Sequence, residues 1–391
     1  MPTQRIALFG GSFDPIHVEH VRLAKDAVQS LGLDLLIVLP AGVPPHKRDK
    51  VLSAETDRLE MCRRAFDGEE KIIVSDYEIR QGGTSYTYLT CRHFKQLYPK
   101  AELFWLVGTD MLRDFPTWKN PEQILQAVTL AVCARNEEKN WLQTEQEAFY
   151  ARFQKQFVTI DYQGKDISST TIRTLLAAGE DVTPLIGERV AEYIRLRSNA
   201  KGTGLYQISG AEQALSLQKP SRRAHSIRVA LLAAKRAKGL KIPESKAITA
   251  ALFHDCAKNL TADSPYLNGF SCEKDVPSSV VHQFSGAYVA ENTFQIQDEE
   301  ILDAIRYHTS GRANMTELGK LIFLSDMVEE ERNYDGVEIL RKLFWQGNRL
   351  DECLLEALSQ TLQFLRASGR EIYSLTQAAY DYYQEKLNNK E

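Results

Sequence analysis

The sequence predicts two folds in tandem, a parallel α/β sheet domain followed by an all-helical domain. Three observations carry this. In the first half, apolar runs of strand length alternate with helical stretches, the pattern of a parallel sheet covered by helices in the Rossmann manner. After about residue 200 the strand runs vanish and helical spacing takes over, as at Ile227, Leu231 and Ala234 and again at Leu318, Leu321 and Ile322. The chain has 391 residues, too many for one ordinary core.

Taken in order, the strand-like runs fall at 5–9, 35–39, 72–74, 103–107 and 128–132. The first feeds into Gly10-Gly11-Ser12-Phe13-Asp14-Pro15-Ile16-His17-Val18-Glu19-His20. Two glycines predict a sharp turn where a ligand comes close. Asp14 and Pro15 read as the N-cap and first residue of a helix. Val21, Ala24, Val28 and Leu31 then recur at helical spacing, and Gly32 suits the exit. His17 and His20 share one face of the first turn. Free backbone N–H groups and the positive helix end lie there too, so the place suits a nucleoside triphosphate.

Ligands in such sheets bind at the carboxyl ends of strands. After the second run, Pro44-Pro45-His46-Lys47-Arg48 offers a stiff loop with Lys47 as a point charge for phosphate. Gly108-Thr109-Asp110 ends the fourth run, and Asp110 is a carboxylate able to accept ribose hydroxyls. Arg135 follows the fifth run and suits a phosphate. Further on, Ser168-Ser169-Thr170-Thr171-Ile172-Arg173 places hydroxyls at a helix start with Arg173 one turn in, which is ordinary cap material and also an anion cradle.

Segment 198–204 is polar, small and glycine-bearing, and predicts a linker between domains at 1–200 and 201–391. Beyond it only four histidines occur: His225, His254, His282 and His308, spaced 26–29 residues apart, about one helix plus a connection. Asp255 follows His254, and Asp326 sits in an apolar helical setting. Imidazoles and carboxylates from separate helices converging in a bundle make metal sites. Lys258, one turn after His254, reads equally as a phosphate ligand or a salt-bridge partner. His93, in a polar stretch, reads as exposed.

Composition narrows the classes. Apolar residues make up 43% and charged residues 26%, as in a globular protein. A net charge of −4 argues against general nucleic-acid binding. The six cysteines form no CxxC pair, which predicts a reduced, cytoplasmic chain without a disulfide framework. No signal-peptide pattern and no membrane-length apolar run is expected. A homo-oligomer is left open.

These motifs resemble known families. The Gly10–His20 string resembles the HxGH nucleotidyltransferase superfamily, with Glu19 in place of the small residue between the histidines; a carboxylate there should point away from phosphate. Pro44-Pro45-His46-Lys47, Thr84-Ser85-Tyr86-Thr87, Trp118 and the Ile167–Arg173 string resemble the nicotinate-mononucleotide adenylyltransferase branch, over about residues 5–197. Leu89 stands where that branch has an Asp. The resemblance implies Mg²⁺-dependent adenylyl transfer from ATP to nicotinate mononucleotide. His17, His20, Lys47 and Arg173 would serve the phosphates. Gly10, Gly11, Ser12, Phe13, Thr87, Gly108, Asp110, Trp118, Arg135, Ser168 and Ser169 would line the nucleotide site.

The second half resembles the HD-domain metallohydrolases, and within them the symmetrical bis(5′-nucleosyl)-tetraphosphatases, over about residues 215–385. That resemblance implies hydrolysis of diadenosine tetraphosphate to two ADP. His225, His254, Asp255 and Asp326 would hold one metal, and Asp255 would bridge to a second held by His282 and His308. Iron or manganese is expected ahead of cobalt or zinc. Gln283 stands where the family often has Gly. The full reading is an α/β Rossmann-like HxGH nucleotidyltransferase domain followed by an all-α HD domain. The alternatives are nicotinamide mononucleotide or another acceptor, and a helical half that acts on another nucleotide or senses one without turnover.

Overall fold

The computed structural model describes residues 3–43, 52–134, 139–201, 205–273, 275–347 and 349–389. The chain divides into two compact units, one of residues 1–172 with 182–200, the other of 173–181 with 201–391.

Among the described residues, the first unit holds six strands: β1 (Arg5–Gly11), β2 (Leu35–Pro40), β3 (Ile72–Val74), β4 (Glu102–Gly108), β5 (Thr129–Ala134) and β6 (Val158–Asp161). They form one sheet in the order β3-β2-β1-β4-β5-β6, and every pairing is parallel. Strand order therefore reverses between β1 and β4, the switch point where such sheets bind ligands. Central strands buried on both faces explain their apolar runs: Ile6, Ala7 and Leu8 are fully buried. β6 does not appear in the run-based expectation. It is a four-residue edge strand with one fully buried residue, Ile160, so it never reads as a continuous apolar run.

The helices along this part of the chain are α1 (Val18–Ser30), α2 (Glu55–Ala65), α3 (Tyr77–Gln81), α4 (Thr87–Leu97), α5 (Thr109–Asp114), α6 (Pro121–Ala127), α7 (Lys139–Phe153), α8 (Ser169–Ala177), α9 (Thr183–Ile186) and α10 (Glu188–Lys201), of which α8 passes from the first unit into the second at residue 173. The helix α10 runs through Lys201, so the expected linker at 198–204 is helical over 198–201. Its remaining residues, 202–204, lie outside the described residues.

The second unit is helical, with no strand among its described residues: α11 (Ala211–Ser216), α12 (Pro220–Leu240), α13 (Glu244–Phe253), α14 (Val281–Asn292), α15 (Glu299–Arg306), α16 (Glu317–Val328), α17 (Val337–Trp345), α18 (Leu350–Ala367) and α19 (Ser374–Asn388). The buried stripe of α12 is Val229, Ala230, Ala233, Ala234 and Ala237, not a line through Ile227 and Leu231, both only partly buried. It packs with Ala247, Ala250 and Ala251 of α13 in one core. Small side chains let two helices approach closely, since interaxial distance follows the residues at the contact. Replacing one of these alanines by Leu would overpack the seam, at a cost of about 1–3 kcal/mol.

All six cysteines are free, and no helix is long and apolar enough to cross a membrane among the described residues.

Candidate functional sites

The first site starts from the end of β1. The strand continues through Gly10 and Gly11 where the sequence predicted a turn. Glycine is required there because protein already fills the space: a β-carbon on Gly10 would meet the Trp105 ring at 2.7 Å, and one on Gly11 would meet Phe13 at 2.8 Å. The turn comes at Phe13, which has φ +45°. The helix cap also differs from expectation. His17, not Asp14, caps α1; Asp14 is buried and accepts the Ser53 N–H at 3.3 Å.

His17 and His20 cap each other. His17 Nδ1 accepts the His20 N–H at 3.4 Å and His20 Nδ1 accepts the His17 N–H at 3.3 Å. The rings stack with centroids 3.6 Å apart. With Nδ1 accepting in both, each neutral ring carries its proton on Nε2 as a donor. Burial pushes the His17 pKa down to about 4. His17 is thus a neutral hydrogen-bond donor in the free chain, not a standing cation. Glu19 is buried, and its carboxylate accepts the Tyr162 hydroxyl, which also donates to the Glu19 carbonyl at 3.2 Å.

Arg58 on α2, which the sequence reading missed, braces this edge. It is 1% exposed, and its guanidinium donates to the carbonyls of Ser12 (3.0 Å), Ala41 (2.6 Å), Gly42 (3.1 Å) and Ser53 (3.1 Å). Four carbonyl acceptors compensate the loss of water around the charge. Arg58 sits among other charged residues of the same helix, Glu55, Asp57, Glu60, Arg63 and Arg64, so nothing in the sequence marked it.

Other expected residues are placed as follows. Gly108 ends β4 and Asp110 lies exposed in the first turn of α5. Trp118 is half-buried against Phe115, with centroids 5.4 Å apart. Thr87 opens α4. Ser85 Oγ accepts the Gly42 N–H at 2.9 Å, tying this segment to the end of β2. Nearby, Leu89 lines a cavity of about 310 Å³ with Ser85, Tyr86 and His93. His93 is half-buried and stacks on Tyr77 at 3.9 Å, where the sequence predicted exposure. Ser168 caps α8 by accepting the Thr171 N–H at 3.1 Å, and Ser169 Oγ donates to the Pro15 carbonyl at 3.0 Å. Arg173 belongs to the second unit, where it pairs with Glu244 at 2.5 Å. Lys47 and Arg135 lie outside the described residues.

The second site gathers side chains from five helical segments. The close α12–α13 seam brings His225 beside His254, the C-cap of α13, with ring centroids 5.6 Å apart. Gly286 lets α14 approach: a β-carbon there would lie 3.2 Å from the His254 carbonyl. His282 on α14, His308 just past α15 and Asp326 on α16 complete the set.

Hydrogen bonds fix three rings. Nδ1 of His254 donates to the Ala251 carbonyl at 2.6 Å, Nδ1 of His308 to the Ile305 carbonyl at 2.7 Å, and Nδ1 of His225 to the Glu329 carboxylate at 3.2 Å. Each Nε2 is left as a bare acceptor facing inward. There His225 Nε2 faces Asp326 Oδ1 at 2.8 Å, and His308 Nε2 faces Asp255 Oδ1 at 3.4 Å. The buried Nε2 atoms of His225 and His254 and Oδ1 of Asp255 make no hydrogen bond. Acceptors aimed at acceptors in a dry pocket call for a cation between them.

Two sets have ligand atoms within 4.8 Å of one another: His225, His254 and Asp326, and His254, Asp255 and His308. His282 falls outside both. Its Nε2 meets Lys258 Nζ at 2.8 Å, Thr309 Oγ1 at 3.0 Å and His308 Nε2 at 3.2 Å. Burial opposes ionisation of Asp255, yet His254, His308 and Lys258 hold its carboxyl well below the usual range. Asp326 behaves likewise through His225, His254 and Arg332. Burial lowers His254 to about 4 and His282 to about 2. Both carboxylates are thus anionic and these two rings neutral, the states a metal requires. Arg222 reaches Asp255 Oδ2 at 3.0 Å, and burial lowers the Lys258 pKa although Asp255 opposes this.

A parallel sheet with a histidine-capped helix at its switch point, followed by a helical metal-type bundle, defines the class: a nucleotide-handling α/β domain joined to an HD domain. Residues 8–175 match the cytidylyltransferase-like family and residues 222–331 match the HD domain. The chain is 35% identical over 190 residues to a probable nicotinate-nucleotide adenylyltransferase of Clostridium tetani, covering 48% of this chain and 95% of that relative. A protein of the same description from Fusobacterium nucleatum is 32% identical over 191 residues, 49% of this chain and 96% of its own length. The chain belongs to the nicotinate-nucleotide adenylyltransferase family, with a helical HD domain following. Among solved structures, a Plasmodium falciparum nicotinic acid mononucleotide adenylyltransferase complexed with NaAD matches at 21% identity and TM-score 0.42, over 50% of this chain and 96% of that one. A predicted HD superfamily hydrolase involved in NAD metabolism, from Clostridium acetobutylicum, matches at 27% and 0.40, over 45% and 95%.

Proposed function

We propose that residues 1–200 transfer the adenylyl group of ATP to nicotinate mononucleotide, a step of NAD biosynthesis. The mononucleotide phosphate oxygen attacks the α-phosphorus of ATP, the bond to the β-phosphate oxygen breaks, and deamido-NAD and pyrophosphate result. The observation that carries this reading is the mutually capped pair His17 and His20 beside the end of β1. Its Nε2–H donors suit the polyphosphate and the charge that develops as pyrophosphate leaves. Adenylyltransferase relatives covering nearly their whole length support the same reaction. Lys47 and Arg135 would add phosphate contacts, Asp110 would take the ribose hydroxyls, and Trp118 would face the pyridine ring. Mg²⁺ would arrive with ATP.

For residues 201–391 we propose symmetrical hydrolysis of diadenosine tetraphosphate, in which one water is consumed and two ADP leave. The donor set fits one or two divalent ions, with His225, His254, Asp255 and Asp326 as one set and Asp255, His282 and His308 as the other. When bound, such ions supply Lewis acidity and water acidified toward neutral pH. The chain's own part is to hold ligand rings by their Nδ1 atoms and to present Arg222 and Lys258 to phosphate.

The test is a nucleotide panel on purified protein with Mg²⁺, then Mn²⁺ or Fe²⁺, resolved by chromatography. Deamido-NAD from ATP and nicotinate mononucleotide, and ADP alone from diadenosine tetraphosphate, are expected. Equal use of nicotinamide mononucleotide in competition would sink the acceptor assignment. Absence of ADP with every metal would sink the hydrolase assignment.

A further inference from the structure

We propose that Gln283 is a positioning residue for the half of the metal site built from His282 and His308; this rests on the two-set metal reading of the helical unit. Gln283 follows His282 on α14 and its side chain is fully buried. Its carboxamide is committed to the turn after His308. Oε1 accepts the N–H groups of Thr309 at 3.1 Å and Ser310 at 3.0 Å, and Nε2 donates to Ser310 Oγ at 2.8 Å.

That turn is where this half of the site is decided. His308 is anchored backward, by Nδ1 on the Ile305 carbonyl. Thr309 Oγ1 meets His282 Nε2 at 3.0 Å, and His308 Nε2 meets the same atom at 3.2 Å. Among the described residues no carbonyl or carboxylate holds His282 Nδ1, unlike the other three rings; Lys258 Nζ lies 3.2 Å from it. Its place relative to His308 therefore depends on Lys258 and on how firmly the Thr309–Ser310 backbone is fixed to α14. A glycine at 283 would leave those two N–H groups without the acceptor they have here. A buried amide without an acceptor is costly, so the turn would shift to find one. The Gln283 carboxamide thus acts as a clamp that holds two ligands of one ion before the ion arrives.

The test compares wild type with Gln283→Met, which keeps volume and removes all three bonds, and with Ser310→Ala, which removes only one. Metal content after Mn²⁺ loading and desalting, and amide hydrogen exchange of the metal-free chain, are read together. In Gln283→Met the Thr309 and Ser310 amides should exchange at least about tenfold faster. The weaker-held ion should lose roughly 10–100-fold in affinity, so content falls from about two ions per chain to about one. Ser310→Ala should stay near wild type. If circular dichroism shows Gln283→Met unfolded, Gln283→Asn, polar but a methylene short of the turn, carries the same expectation. A folded variant that keeps wild-type metal content overturns the proposal, even with faster exchange, because Gln283 would then be structural only. Wild type that binds fewer than two ions overturns the two-set reading instead, whatever the variant does.

Discussion

The two histidine groups of this chain solve opposite problems. His17 and His20 lie three residues apart on one helix turn, and each ring's Nδ1 is satisfied by the other's backbone. His225, His254, His282 and His308 come from separate helical segments. Three of these rings are tied outward by Nδ1, and two have an Nε2 that is buried and unsatisfied. The first arrangement is complete as it stands and presents donors, which suits a substrate that brings its own cation. The second is incomplete without a positive charge at its centre. Burial keeps His17 in one group and His254 in the other neutral, yet His17 offers Nε2–H and His254 a bare Nε2. The tautomer, set by what Nδ1 touches, decides which chemistry each serves.

The strongest way to break this comparison is to remove a ligand from the incomplete site. Asp255→Ala deletes a carboxylate shared by His254, His282 and His308. Metal content and diadenosine tetraphosphate hydrolysis should fall to background. Adenylyl transfer should stay within roughly twofold, because the two sets of residues share no member. Loss of both activities in a variant folded by circular dichroism would contradict that separation. Next in size is His17→Ala, which removes an Nε2–H donor and the cap of α1. Adenylyl-transfer kcat should drop by about 10²–10³-fold, the usual cost of one transition-state donor. A variant with wild-type turnover would remove His17 from the phosphate site.

How much of this was legible in the sequence follows the range of the interactions. The strands buried on both faces announced themselves as apolar runs, whereas the half-exposed β6 did not. The spacing of the four distant histidines was enough to expect a metal-type cluster, because ligand identity survives in one dimension. The local details read less well. Asp14-Pro15 is strong cap chemistry, but the His17–His20 pair outcompeted it, and side-chain capping by histidine leaves no familiar signature. Gly10 and Gly11 continue β1 and do not form the expected turn, and the requirement for glycine at Gly10 comes from Trp105, nearly a hundred residues away, which no local pattern reveals. Arg58, Glu329 and Gln283 were invisible as supports because their partners are carbonyls, amides and a ring nitrogen in other segments.

A smaller effect sharpens the tautomer argument. Glu329 is 2% exposed and accepts from His225 Nδ1, Arg228 Nε at 2.8 Å and the Glu331 N–H at 2.9 Å. Glu329→Gln keeps the shape but weakens the acceptor that makes His225 Nε2 basic. Metal affinity measured by titration should fall by about 10–100-fold. Unchanged affinity would mean that the His225 tautomer needs no carboxylate.

The smallest expected effect is on stability against pH, and it tests the other group. Burial depresses the His17 pKa from 6.5 to about 4. Between those values the unfolded chain binds the proton and the folded chain does not, so stability falls as pH drops through that window. Above pH 6.5 both states are neutral and His17 adds no pH dependence. His17→Asn retains a cap acceptor without a titrating ring. Unfolding midpoints of wild type and His17→Asn should therefore run parallel above pH 6.5 and diverge below it, wild type losing more as pH approaches 4. Bound ATP should narrow the divergence, because phosphate charge beside the ring favours its protonated form. Identical slopes for the two chains throughout would mean that His17 is not held neutral. The contrast between a donor pair that is complete alone and a ligand set that awaits its cation would then lose its first half.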